Sequence, residues 1–88
     1  MDTFERVLGQ VIAEERRRAG LTQEALAYRC KLHPTYISQL ERGVKSPTLR
    51  VFRSLAEAMG TSGSVLLHRT ETGTAIGRDG HPVQPYGM

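Results

Sequence analysis

Three hydrogen-bonding side chains, Thr35, Ser38 and Gln39, stand at positions i, i+3 and i+4 of the short segment from His33 to Gly43. On a helix that spacing gathers them on one face. Ile37 and Leu40 fall on the other side, where they can hold the segment against a core. Two hydroxyls and a carboxamide on one outward face suit the donors and acceptors of base edges, or phosphate oxygens. Enzymatic chemistry is not expected. The sequence has no Ser-His-Asp arrangement with a glycine elbow, no phosphate-cradling loop and no paired-carboxylate motif. His33 and Cys30 complete no ligand set and read as a helix cap and a core thiol, so neither a metal nor a cofactor is expected.

A face of this kind works only if other elements fix it. The first helix is expected from Thr3 to Ala19, with Phe4, Val7, Leu8, Val11 and Ile12 as its apolar stripe and Gly20 as a left-handed cap. The second starts at Thr22, an N-cap residue, with Leu21 and Leu26 in staple positions and Ala25, Leu26, Ala27 and Cys30 inward. The third is capped by His33, carries Pro34 at its first position and stops at Gly43. Two stapled helices joined through Cys30-Lys31-Leu32 form a helix-turn-helix, an arrangement that projects its second helix into the DNA major groove. A fourth helix is expected after Thr48, burying Leu49, Phe52, Leu55, Ala56 and Met59 and stopping at Gly60. Ser62 can cap a short fifth helix bearing Val65, Leu66 and Leu67. The fold class is therefore all-α, a five-helix domain over residues 1–67.

With 88 residues there is room for one small domain. Residues 68–88 hold four glycines, two prolines and little apolar pattern, so a short non-helical C-terminal tail is expected. Ten arginines and two lysines against nine acids give a net charge of +3. The tail's two basic and two acidic residues cancel, so the whole excess lies in the helical part. Arginine is the residue favoured where phosphate is gripped. The triplet Arg16-Arg17-Arg18 has two readings. One is a phosphate patch; the other is favourable placement at a helix C-terminus, with Glu14 pairing Arg17 and Arg18. Tyr28 reads as a partly buried packing residue. One cysteine excludes an internal disulfide. The polar N-terminus is no signal peptide, and no apolar run approaches the length of a membrane span, so a cytoplasmic location and no membrane contact are expected.

The stretches Leu21-Thr22-Gln23-Glu24-Ala25-Leu26-Ala27, Tyr36-Ile37-Ser38-Gln39-Leu40-Glu41-Arg42-Gly43 and Ser46-Pro47-Thr48-Leu49 resemble the phage-repressor and Xre-like helix-turn-helix family. Leu26-Ala27-Tyr28 and Thr35-Tyr36-Ile37-Ser38 are most similar to its small restriction–modification controller proteins. The resemblance covers about residues 6–67. It implies base readout by Thr35, Ser38 and Gln39, phosphate contacts from Thr22, Gln23, Tyr36, Arg42 and Lys45, and a brace from Gln23 to the recognition helix. It also implies a structural ion pair between Arg16 and Glu41. Two positions depart from the family pattern. Pro34 cannot read a base, which shifts readout toward His33. Lys31 replaces the usual turn glycine, and the left-handed conformation needed there costs lysine about 1–2 kcal/mol.

The expected function is that of a sequence-specific DNA-binding transcriptional regulator, a homodimer on an inverted-repeat operator. The alternative is an antitoxin or protein-interaction module that binds a partner protein through the tail. Val65, Leu66 and Leu67 exceed what a short helix buries at home and are the expected dimer interface. Residues 70–76 and 82–86 are expected as extended arms across the partner subunit, turning at Gly77-Arg78-Asp79-Gly80.

Overall fold

The computed structural model describes residues 3–75. Five helices follow one another: α1 (Thr3–Arg18), α2 (Gln23–Cys30), α3 (Pro34–Glu41), α4 (Leu49–Ala58) and α5 (Gly63–Ala75). Their starts follow the cap chemistry of the sequence. Thr22, Thr48 and Ser62 each accept a hydrogen bond from the backbone N–H three residues on, and His33 Nδ1 accepts from Thr35 N–H at 3.1 Å.

The first four helices end alike. The chain turns left-handed one residue past α2 and two residues past α1, α3 and α4, and two backbone hydrogen bonds close each end. Glycine fills that position after α1, α3 and α4; after α2 it is Lys31, with φ 56° and ψ 43°. This is the left-handed lysine expected in the turn. Its N–H and that of Leu32 bond the carbonyls of Tyr28 and Ala27, so the turn geometry is kept in spite of the β-carbon.

The core gathers Leu8, Val11 and Ile12 of α1, Leu26 and Ala27 of α2, Ile37 and Leu40 of α3, Phe52, Leu55 and Ala56 of α4, and Leu66 of α5. Helix α1 packs on α3 and α5, and α2 packs on α3 and α4. At its crossing with α3, α1 presents Gly9. A β-carbon there would stand 2.4 Å from the Glu41 carbonyl oxygen, so only glycine admits this approach.

The C-terminal part differs from expectation. Helix α5 does not stop near residue 67 but continues to Ala75. Leu66, Thr70 and Gly73 form its inner face. Leu66 and Thr70 are fully buried, and Gly73 lies against Val7. The Thr70 hydroxyl donates to the Leu66 carbonyl at 2.8 Å, which satisfies it without water. Arg69 bridges Glu14 and Glu15 of α1. Residues 70–75 are thus helical, with Thr70 and Gly73 set against their own subunit, and not an extended arm. Ile76, the 77–80 turn and the 82–86 arm lie outside the described residues.

Two further side chains depart from expectation. Leu49 is 83% exposed, because it occupies the first turn of α4, outside the buried face set by Phe52, Leu55 and Ala56. Tyr28 is 85% exposed, since Leu26 and Ala27 already fill the inner side of α2.

Candidate nucleic-acid interface

Helix α3 is held from beneath by Ile37 and Leu40, both essentially inaccessible to solvent. Its outer face carries Thr35, exposed, and Ser38 and Gln39, half-buried. His33 stands exposed at its head. The cap fixes the His33 ring: Nδ1 accepts from Thr35 N–H, so in the neutral ring Nε2 bears the hydrogen and can donate. The four candidate readout residues therefore share one outward surface.

The candidate phosphate residues surround it. Thr22 is exposed, with its hydroxyl engaged as the α2 cap. Arg42 and Lys45 are exposed just beyond α3, and neither has a carboxylate partner among the described residues. Tyr36 is half-buried and packs on the core, which orients its ring.

A polar network locks this surface to α1. Arg16 Nε donates to Glu41 Oε2 at 2.6 Å and its Nη2 to Oε1 at 3.1 Å, the expected ion pair in bidentate form. Arg16 Nη1 also donates to the Leu21 carbonyl at 2.9 Å. The pair is largely buried, with side chains 11% and 7% exposed. The hydrogen bonds to Glu41 outweigh desolvation and raise the Arg16 pKa above its ordinary value. Gln23 Nε2 donates to the same carboxylate at 2.9 Å. No local spacing announces this bond, since residues 23 and 41 belong to different helices, but it is a brace from Gln23 to the recognition helix of the kind the resemblance implies. One carboxylate thus ties the end of α1, the start of α2 and the end of α3 together.

The proposed dimer residues divide. Val65 and Leu67 are 45% and 40% exposed, whereas Leu66 is fully buried in its own subunit's core. Leu66 cannot face a partner, because the inner face of α5 that reaches α1 runs through it. Leu49 and Leu67 instead line an open apolar groove with Phe52 and Gly63.

A short second helix, anchored by two aliphatic residues and offering a polar face beside exposed cations, defines a helix-turn-helix domain. The chain belongs to the helix-turn-helix domain family, whose pattern matches residues 7–68. It is 35% identical over 68 residues to the control protein C.BamHI of Bacillus amyloliquefaciens, covering 76% of this chain and 84% of that one. The crystal structure of the clp gene regulator ClgR from Corynebacterium glutamicum superposes with a TM-score of 0.78 at 28% identity, covering 84% and 96% of the two chains. The restriction–modification controller protein C.AhdI from Aeromonas hydrophila gives 0.67 at 33% identity, covering 69% and 92%. Among the described residues no helix is long and apolar enough to cross a membrane.

Proposed function

We propose that this protein is a sequence-specific DNA-binding transcriptional regulator that acts as a homodimer on an inverted repeat. The observation that carries the reading is α3 itself. It is fixed by Ile37 and Leu40 and presents His33, Thr35, Ser38 and Gln39 outward, with Arg42 and Lys45 free to meet phosphate. Thr22, Gln23 and Tyr36 complete the backbone contacts. The controller proteins among its relatives favour a gene of a restriction–modification system as the target. A dimer places two recognition helices about 34 Å apart, one turn of DNA. Its interface is assigned to Leu49, Val65 and Leu67, apolar residues left exposed on α4 and α5.

Selection of bound sites from a random DNA pool tests the function. An inverted repeat is expected, and Gln39→Ala or Ser38→Ala weakens its binding more than that of random DNA, by about 1–3 kcal/mol per lost base contact. Recovery of no common sequence overturns the reading. Sedimentation tests the dimer: Leu67→Asp dissociates it with the fold intact, and a wild-type chain that is monomeric at micromolar concentration overturns it.

A further inference from the structure

Gln10, Ala13, Glu14 and Arg17 lie at i, i+3, i+4 and i+7 of α1 and form one wall of an open polar cleft. The opposite wall is Gln23, Glu41 and Arg42. Two of the residues assigned to phosphate, Gln23 and Arg42, therefore share this cleft with Arg17, an arginine with no role in the network that supports α3.

The charges in the cleft are settled by partners outside it. Glu41 is neutralised by Arg16. Glu14, the acid that local spacing would give to Arg17, is held by Arg69 from α5. Arg18 turns the other way, toward Glu15. Arg17 and Arg42 are left with no carboxylate partner among the described residues. The remaining balance of the cleft is two guanidinium groups beside the Gln23 carboxamide, a donor set matched to the oxygens of one phosphate.

We infer that Arg17 of α1, together with Gln23 and Arg42, grips a backbone phosphate of the bound DNA, so that α1 is part of the DNA-binding surface. This rests on the DNA-binding reading above and adds to it a contact outside the helix-turn-helix. Arg69, by pairing with Glu14, keeps Arg17 available for it.

The test is the salt dependence of binding by the full chain to a random-sequence duplex, followed by fluorescence anisotropy. Each phosphate contact contributes about −0.9 to the slope of log K against log salt, about eightfold in affinity at 0.1 M and nothing near 1 M. Arg17→Gln is expected to flatten the slope by about 0.9 per bound protomer. Arg18→Gln removes the same charge one residue away and is expected to leave the slope near the wild-type value. Equal slopes for the two variants overturn the contact. A wild-type chain that binds no duplex overturns the functional reading, and this inference with it. Inorganic phosphate, titrated at constant ionic strength without DNA, separates the two sources of the anion. Thermal stabilisation by phosphate that requires Arg17, with an unchanged DNA slope, means a free-anion site and refutes the assignment to DNA.

Discussion

Replacing Gly9 by alanine sets two effects of opposite sign against each other. Helix propensity alone favours the change, because alanine in a helix interior is about 1 kcal/mol better than glycine. The packing opposes it. An added β-carbon would stand 2.4 Å from the Glu41 carbonyl oxygen and 2.5 Å from that of Leu40, where 3.0 Å is the practical limit, so about 0.6 Å must be made up. Both obstacles are backbone, at the end of α3, and cannot swing aside as a side chain would. Overpacking of this kind costs about 1–3 kcal/mol, and the rigid neighbours place it at the upper end. The net expectation is a loss of about 2 kcal/mol, or a fall in Tm of about 8–16 °C for a domain of this size. Thermal unfolding followed by circular dichroism reads this directly. Gly20→Ala is no substitute control, because its φ of +75° adds strain of another origin. An unchanged or raised Tm for Gly9→Ala would refute the claim that α1 and α3 meet backbone to backbone at this point.

Three further outcomes follow from the same geometry. Arg16→Met leaves Glu41 with Gln23 as its remaining donor and should cost about 3 kcal/mol, while Arg16→Met with Glu41→Leu recovers most of the loss; urea unfolding checks this, and a single-variant cost below about 1 kcal/mol contradicts it. Lys31→Gly relieves about 1–2 kcal/mol of left-handed strain and adds somewhat less in unfolded-state entropy, so stability should rise by up to about 1 kcal/mol; a clear loss argues against strain at the turn. Burial raises the Cys30 pKa, so its contribution to stability is complete below the unfolded thiol value of about 8.5 and is lost as pH rises through the folded one. The urea midpoint of the wild type should accordingly fall faster above pH 9 than that of Cys30→Ala, and parallel profiles would contradict this.

The parts of the fold that are legible in the sequence are those written in local chemistry. Caps at Thr22, His33, Thr48 and Ser62 act on backbone groups two or three residues away, so residue type and spacing determine them. The left-handed turn at Lys31 is legible through the family resemblance, in which a glycine stands at that position. The continuation of α5 past residue 67 is not legible, because its inner face there is Thr70 and Gly73. A buried threonine that bonds its own helix and a glycine chosen for closeness to Val7 leave no hydrophobic periodicity to detect. A search for close packing of small residues against Val7 would have been needed.

The charges on α1 show the limit most clearly. Local spacing assigns Glu14 to Arg17 or Arg18, and on an isolated helix those pairs would form. In the folded chain Arg69 arrives from α5, takes Glu14 and Glu15 together, and leaves Arg18 at the edge of Glu15. A pair held between two packed helices is favoured over an exposed pair on one helix, because less side-chain freedom remains to be lost and less water screens it. The choice that frees Arg17 is thus made by a residue more than fifty positions away. An arginine triplet that reads as helix-end electrostatics becomes, in the folded chain, a supporting residue in Arg16, a surface ion pair in Arg18 and, in Arg17, a cation with no carboxylate partner among the described residues.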